Sequence, residues 1–170
     1  IDSKMKRTKN RALVTGEVST ASALVFASIL LVVGSFFLGY FTTTLALGVA
    51  LFGFFAYVVL YGIWKRQSVH GTEVGSISGA VPPVVGYVAV TGNLDAAACI
   101  LFLLLVLWQM PHFYAIGIFR RSEYKAANIP VLPVVKGISL TKKYIIAYII
   151  AFIIAVPLLT LFGDAGYMYL

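Results

Sequence analysis

The segment DSKMKRTKNR near the N-terminus holds five cations behind a single carboxylate, Asp2. If a helix runs into this segment, Asp2, Lys6 and Lys9 share one face at i, i+4 and i+7. Thr8 and Asn10 add short polar groups suited to phosphate oxygens. A carboxylate beside cations is what a Mg²⁺–phosphate group requires. The alternative is a topological anchor that also binds anionic lipid headgroups, and spacing alone leaves both interpretations open.

A second polar segment, QSVHGTEVGSISGA, follows the paired cations Lys65 and Arg66. The pair is typical of the end of a membrane span. His70 lies in a polar loop, and we interpret it as a solvated histidine. The small residues beyond it permit close helix contact or leave room for a bulky ligand: Gly75, Ser76, Ser78, Gly79 and Ala80.

The third segment, WQMPHFYAIGIFRRSEYK, places an ionisable residue, His112, inside an apolar span, where such residues are functional candidates. On a continuous helix Glu123 follows His112 by eleven residues, about three turns, and returns to nearly the same face. Ile116 and Phe119 share that face, and Arg120 lies at its edge. The alternative is a buried histidine that is hydrogen-bonded to a neighbouring helix.

The elements that must position these residues are membrane spans. Hydrophobic residues make up 61% of the chain and charged residues 11%, with a mean hydropathy of +0.96, which excludes an ordinary soluble domain. Several apolar runs reach the roughly 20 residues of a spanning helix. We predict an all-α polytopic bundle with spans at 21–41, 44–64, 74–90, 96–119 and 144–162. Pro82 and Pro83 should kink or interrupt the third span, and Pro111 should kink the fourth.

The charges predict the orientation of the bundle. All thirteen Lys and Arg fall in the segments 4–11, 65–66 and 120–143, which five spans place on one side. By the positive-inside rule this side is the cytoplasm. The rule is nearly indifferent to acids, yet four of the six acids lie there too: Asp2, Glu17, Glu73 and Glu123. Carboxylates among cations at a membrane surface favour a Mg²⁺–diphosphate site.

Several kinds of site are excluded by the sequence. The single cysteine, Cys99, cannot pair within the chain, so disulfides and cysteine-rich metal sites are excluded. No Gly-rich phosphate loop, zinc-ligand spacing or serine triad occurs. Because the chain begins with Ile and ends in an apolar run, we expect a fragment, with residues 1–170 forming one partial membrane domain. The residues favour an intramembrane pocket whose rim carries both cations and carboxylates. A reaction that joins an apolar substrate to a diphosphate requires such a pocket.

The three segments together resemble a known family, the protohaem IX farnesyltransferases (haem O synthases) of the UbiA superfamily of intramembrane prenyltransferases. The first segment resembles the end of an aspartate-rich motif, with Asp2 followed by RT and RAL. The second carries YGIWKR and GAVPPVVGYVAVTG, and the third carries WQMPHFYAIGIFRRSEY and IPVLPVVKG. The resemblance covers essentially the whole chain.

The resemblance implies a bundle of nine helices, of which this chain would hold about five. It implies transfer of a farnesyl group from farnesyl diphosphate to a vinyl group of haem b, giving haem O for haem-copper oxidases. A bacterial inner membrane is expected, with the basic loops and the active-site rim cytoplasmic. Expected partners are both substrates, membrane lipid, haem A synthase and oxidase assembly factors, without nucleic acid.

The resemblance also implies roles for individual residues. The cofactor Mg²⁺ would be held by Asp2 and Glu123. The diphosphate would be bound by Arg7, Lys9, Arg11, Lys65 and Arg66. Haem would contact His112, Arg120 and Tyr124, with His112 acting as iron ligand or as base near the vinyl group. The residues expected to act in catalysis are Asp2, Arg7, Arg11, His112, Arg120 and Glu123.

The sequence departs from the family pattern at two positions. The usual Pro after Arg11 is Ala12, and the usual Asp before Tyr124 is Glu123. The earlier Asn and Asp of the first motif would precede the first residue, so we expect this chain alone to be inactive. Two alternatives remain. Another UbiA-type prenyltransferase, of quinone or chlorophyll synthesis, would require aspartates within 112–124, and a non-enzymatic membrane subunit would use its basic loops only for topology.

Arg7→Lys and Arg11→Lys distinguish an enzyme from a topological anchor, because both changes keep the positive charge. Lys cannot grip an oxyanion through two parallel hydrogen bonds. We therefore expect each variant of the full-length protein to lose prenyl-transfer rate by about tenfold or more, a barrier increase of roughly 1.4 kcal/mol. Insertion, measured by protease protection, should be unchanged. Wild-type rates in both variants would favour the anchor.

Overall fold

The fold is an all-helical bundle, seen in a computed structural model that describes residues 3, 5 and 8–166. Five helices of this part are long and apolar enough to cross a membrane, and no strand occurs in it. They are α1 (Thr20–Phe41), α2 (Thr44–Gln67), α3 (Gly71–Thr91), α4 (Ala96–Phe119) and α5 (Ile138–Leu161). Short helices lie at Ala12–Thr15, Arg121–Ala126 and Leu132–Val135. The predicted all-α membrane protein is confirmed.

The helices extend beyond the apolar runs that predict them. α3 begins at Gly71 rather than 74, and α5 begins at Ile138 rather than 144. Hydropathy marks the hydrocarbon crossing, whereas a helix can continue into the polar interface. Pro82 and Pro83 do not interrupt α3, because a neighbouring helix can support a segment that lacks backbone donors.

Close contacts at small residues bring α2, α3 and α4 together. A methyl group added at Gly53 of α2 would lie 2.6 Å from Val81 Cγ1 of α3. One added at Gly79 of α3 would overlap Gln109 Oε1 of α4. The small residues of α3 therefore act in packing, as the sequence indicates.

The remaining spans flank this centre. α5 packs on α4 through a cluster of buried apolar residues: Ala97, Ile100, Leu104, Ala155 and Leu159. α1 packs on α2 and contributes no buried residue.

The connectivity of the five helices places the described cations at one end of the bundle. The segment before α1, the α2–α3 turn and the α4–α5 connection all lie there, and every described Lys and Arg lies in or beside them. We refer to this as the basic end. The predicted grouping of the charges is confirmed for this part of the chain.

At the opposite end of the bundle, the side chain of Asp95 caps the N-terminus of α4. Asp95 Oδ1 accepts the Ala98 N–H at 3.2 Å, and the Tyr87 hydroxyl donates to Asp95 Oδ2 at 2.8 Å. The Tyr87 hydrogen bond, followed by the Ala98 N–H, holds the pKa of Asp95 below its usual range. Because the folded-state pKa is lowered, this stabilisation is present at neutral pH and is lost as the pH falls through that value.

Gly71→Ala and Gly86→Ala form a matched pair within α3. A methyl group at Gly71 would lie 2.9 Å from the Lys65 Cα, a backbone atom that cannot move aside, whereas nothing lies within 4 Å at Gly86. Overpacking at Gly71 should cost about 1–3 kcal/mol. Gly86→Ala should be neutral or gain up to about 1 kcal/mol of helix propensity. Thermal unfolding of the full-length protein in detergent measures both, and equal midpoints would contradict the tight packing at Gly71.

Candidate functional site

A cavity of about 410 Å³ lies at the basic end, between α2, α3, α4 and the N-terminal segment. Its lining includes two cations, Arg11 and Lys65. Five aromatic residues also line it: Tyr57, Tyr61, Phe113, Tyr114 and Tyr124. The cavity therefore combines a positive charge with an aromatic interior, as a site for an amphiphilic anion would.

The α2 wall of the cavity is built on a π-helical segment, Ala56–Tyr61. Its i→i+5 bonds wind the chain more loosely than an α-helix, and such segments often occur at functional sites. The rings of Tyr57 and Tyr61 stack with centroids 5.6 Å apart. Lys65 continues the same row, with Nζ 5.2 Å from the centre of the Tyr61 ring. This row leads from the aromatic lining to the cationic rim.

The α3 wall owes its shape to residues with little or no side chain. A methyl group at Gly75 would lie 2.9 Å from the Tyr61 ring, so only glycine lets that ring lie against α3. Ser78 and Gly79 also line the cavity. Their carbonyls cannot receive the usual helical N–H, because the residues four positions later are Pro82 and Pro83. Two backbone acceptors therefore lack their helical donors beside the cavity.

The α4 wall carries the buried polar groups. Gln109 donates from Nε2 to the Leu105 carbonyl at 3.1 Å, which fixes its amide beside Gly79. One turn later the fully buried Tyr114 donates its hydroxyl to Glu73 Oε1 at 2.7 Å. This hydrogen bond joins α4 to the first turn of α3.

Residues 8–11 of the N-terminal segment form turns beside the cavity, which Thr8 and Arg11 line. The Thr8 N–H donates to the Met5 carbonyl at 3.0 Å, and Met5 is buried against Ala127 and Ile129. The helical face predicted through Asp2, Lys6 and Lys9 stays a prediction, because Asp2 and Lys6 lie outside the described residues. Hydrophobic docking of Met5 holds this polar segment against the α4–α5 connection.

The predicted continuous stripe from His112 to Glu123 is wrong. α4 ends at Phe119, and Arg120 leaves the helical conformation with φ −102° and ψ 23°. Arg121 Nε then donates to the Pro133 carbonyl at 2.9 Å. This hydrogen bond joins the beginning of the α4–α5 connection to the short helix Leu132–Val135 within the same connection. Helical periodicity therefore cannot be extended past Phe119.

The structure divides the predicted site residues into three groups. Arg11, Lys65 and Tyr124 line the cavity. Asp2 and Arg7 lie outside the described residues. The other predicted residues are described but are not part of the cavity lining: Lys9, Arg66, His112, Arg120 and Glu123.

His112 is exposed on the surface of α4 beside the cavity wall. Its ring stacks on Trp108, with centroids 5.8 Å apart and planes 12° from parallel. It also contacts Phe113, whose ring does line the cavity. The alternative of a buried histidine that bonds a neighbouring helix is therefore wrong for this part of the protein.

Arg120 and Glu123 form a half-buried ion pair at the basic end. Arg120 donates to Glu123 Oε1 at 3.2 Å. Glu123 Oε2 is buried and has no hydrogen-bond partner among the described residues. A buried carboxylate oxygen of this kind is costly unless a proton donor or a cation satisfies it.

Sequence reasoning missed several residues of the site. Gln109 could have been found, because an amide inside an apolar span is a functional candidate. Glu73 was counted among the four acids on the basic side, but no role in the site was predicted for it. Nothing in the sequence separates Tyr57 and Tyr114 from the other eight of the ten tyrosines.

Comparison with known proteins places this architecture in a family. The sequence profile of the UbiA prenyltransferase family matches residues 1–170. The chain belongs to the UbiA prenyltransferase family. The recognition drawn from the three sequence segments is thereby confirmed at the level of the family.

Curated relatives within the UbiA family share more than half of their aligned residues with this chain. A protein named protoheme IX farnesyltransferase from Yersinia pseudotuberculosis (serotype O:1b, strain IP 31758) is 54% identical over 171 residues. Proteins of the same name from Salmonella arizonae and Yersinia enterocolitica are each 55% identical. Each alignment covers 100% of this chain and 58% of the relative, so the chain spans somewhat more than half the length of these proteins. No solved structure matches the chain.

UbiA prenyltransferases generally use a divalent metal, and the described residues offer part of a site for one. No group of three or more His, Cys, Asp or Glu side chains occurs among them. Glu123 nevertheless presents a buried, unsatisfied carboxylate oxygen, which is the kind of ligand that Mg²⁺ takes. The chemistry of this donor fits the metal.

Lys65→Gln and Arg66→Gln test which cation of this UbiA family member reaches the bound anion. Lys65 lines the cavity, whereas Arg66 is exposed outside it. Lys65→Gln should weaken binding of inorganic diphosphate to the full-length protein by about tenfold, since a charge-assisted hydrogen bond contributes about 1.5–3 kcal/mol. Arg66→Gln should weaken it less. Titration calorimetry at fixed ionic strength measures both, and an equal or larger effect at Arg66 would contradict the cavity as the anion site.

Proposed function

We propose that the full-length protein transfers the farnesyl group of farnesyl diphosphate to a vinyl group of haem b and forms haem O. The observation that carries the proposal is the cavity at the basic end, in which a cationic rim adjoins an aromatic interior. The names of the curated relatives, which are 54–55% identical to this chain, support the same reaction.

The rim would stabilise the leaving group. Cleavage of the bond between the allylic carbon and the diphosphate oxygen develops negative charge on the diphosphate. Arg11 and Lys65 line the cavity where this charge would form. Fixed cations that are already in place stabilise such charge without reorganisation of the site. The diphosphate would also be bound by Arg7, Lys9 and Arg66.

The aromatic interior would shelter the allylic cation from water. The stacked rings of Tyr57 and Tyr61 and the ring of Phe113 offer π faces to a cation, each worth about 0.5–2 kcal/mol. Exclusion of water also prevents hydrolysis of the reactive intermediate. The cavity volume, about 410 Å³, falls within the range typical of small-molecule sites.

The metal would be Mg²⁺, held by Asp2 and Glu123. When bound it would supply positive charge to the diphosphate oxygens as a Lewis acid. Arg120 would hold Glu123 in place through the ion pair at 3.2 Å.

The haem would meet α4 at the exposed side of the cavity wall. His112 and Trp108 form a nearly parallel stack there that offers a flat aromatic surface and an imidazole nitrogen. His112 would act as iron ligand or as base, Arg120 would pair a propionate, and Tyr124 would contact the macrocycle from the cavity side.

The proposed setting follows from the relatives and from the charges. The relatives are bacterial, which supports the inner membrane, and the basic end would face the cytoplasm. Haem A synthase and oxidase assembly factors would be the partners that receive the product. Residues 1–170 would be part of one membrane-embedded catalytic domain.

A different prenyl acceptor is the second candidate function. Quinone- or chlorophyll-type enzymes of the superfamily would need aspartates in the segment 112–124, which contains none. A purely structural subunit would not require a cationic and aromatic cavity. Haem b is therefore the acceptor that the residues favour.

Expression of the full-length gene tests the proposal. The purified, haem-loaded protein should convert haem b and farnesyl diphosphate to haem O, followed by mass spectrometry, and removal of Mg²⁺ should abolish the conversion. A quinone precursor in place of haem serves as the control acceptor. Absence of farnesylated haem from a folded, haem-loaded protein would overturn the proposal.

Asp2→Asn tests the assignment of the metal. The change removes one carboxylate and keeps the shape of the side chain, so turnover should fall by at least about 10²-fold, the scale of several kcal/mol of metal stabilisation. Membrane insertion should persist, because insertion is nearly indifferent to acids. Full turnover in Asp2→Asn would refute the metal assignment while leaving the family intact.

A further inference from the structure

The proposed reaction needs a proton acceptor as well as a cation site. When an allylic cation adds to a vinyl group, a new carbon–carbon bond forms and the positive charge moves to the adjacent vinyl carbon. A stable product then requires loss of one proton, either from the adduct or from a water molecule that adds to it. The following inference rests on the proposed function and names the acceptor.

One titratable pair meets this need from within the cavity wall. Tyr114 lines the cavity, is 1% exposed, and donates its hydroxyl to Glu73 Oε1 at 2.7 Å. Glu73 lies behind Tyr114, in the first turn of α3, and its side chain is 27% exposed. Tyr114 therefore links the wall of the cavity to a carboxylate.

The contacts of Glu73 do not account for a charged side chain at this position. Its second oxygen, Oε2, is buried without a hydrogen-bond partner among the described residues. The nearest described basic nitrogen is His70 Nδ1, 3.6 Å from Oε1. Burial of a carboxylate oxygen without a partner costs desolvation energy. An amide side chain at the same position could accept the Tyr114 hydrogen bond without burying a charge.

We propose that Tyr114 and Glu73 form the proton acceptor of the reaction. As the proton leaves the adduct or the added water, the Tyr114 oxygen accepts it and the Tyr114 hydroxyl proton passes to Glu73 Oε1. The electron pair of the broken C–H or O–H bond completes the product. The diphosphate departs with the electron pair of the broken C–O bond, so one proton on Glu73 balances the reaction.

His112 is the other candidate base, and the geometry separates the two. His112 is exposed and is not among the described residues that line the cavity, whereas Tyr114 lies in its wall. A general base must lie within hydrogen-bond reach of the proton it removes, directly or through one water. A group in the cavity wall meets this requirement for a cation that forms inside the cavity.

Glu73→Gln in the full-length protein separates chemistry from structure. Gln keeps an oxygen that accepts the Tyr114 hydrogen bond but binds no proton at neutral pH. We expect kcat for haem O formation to fall by roughly 10²-fold or more, the usual contribution of acid–base catalysis, with KM for farnesyl diphosphate within about twofold of wild type. Tyr114→Phe should cause a similar loss, and the double variant should be no slower than the worse single variant.

Tyr148→Phe is the matched control. Its ring is 6.1 Å from that of Tyr114, and its hydroxyl makes no hydrogen bond among the described residues. We expect wild-type kcat from this variant. The solvent deuterium isotope effect on kcat should increase in Glu73→Gln and stay at the wild-type value in Tyr148→Phe.

The outcomes of this experiment are distinct. Wild-type kcat in Glu73→Gln would overturn the proton-acceptor role and leave a structural hydrogen bond. Additive losses in the double variant would also overturn the relay, since two members of one relay cannot fail independently. If the wild-type protein itself makes no haem O, the proposed function fails and this inference fails with it. If Glu73→Gln does not fold, the kcat and isotope effect of Tyr114→Phe decide the proposal alone.

Discussion

The exclusion of charge from the hydrocarbon core is the constraint on which the rest of this structure depends. Five apolar helices leave charged residues to the two ends of the bundle, and every described lysine and arginine lies at one of them, the basic end. A diphosphate could be neutralised nowhere else in this part of the protein. The cavity lies at that end, where cations can meet an aromatic interior that opens into the membrane-spanning helices. Topology and the proposed anion binding would therefore be two consequences of the same distribution of charge.

Helix α3 turns this distribution into a site because its small residues do two things at once. Ser76 and Ala80 are buried in helix contacts, whereas Gly75 and Gly79 line the cavity. Larger residues at these four positions would either separate the helices or fill the space. The missing side chains thus create both the close packing and the void. The interpretation as helix contact is therefore confirmed, whereas room for a ligand stays a prediction that the cavity beside Gly75 and Gly79 supports.

The extent to which the sequence predicts the fold follows from the range of each signal. Hydropathy and charge act over whole spans, so five helices and a shared basic end were predictable. The helical face drawn from His112 to Glu123 failed, because periodicity holds only while a helix continues. The turn at Arg120 ends that continuity, and the chain beyond it is held by a distant contact, from Arg121 Nε to the Pro133 carbonyl. The π-helical turn that places Tyr57 has no comparable sequence signal.

Under the proposed function, two very different substrates would share helix α4. Phe113 lines the cavity and contacts His112, so the exposed aromatic stack lies one residue from the cavity wall. A vinyl group sits on the rim of a porphyrin, and reaction there requires only the rim to reach the allylic carbon. The macrocycle could therefore rest against His112 while the prenyl chain occupies the cavity. Tyr114 lies on the cavity side of this boundary, with its proton held by Glu73. On this arrangement the charge that forms at the rim of the haem would appear beside the group that removes its proton.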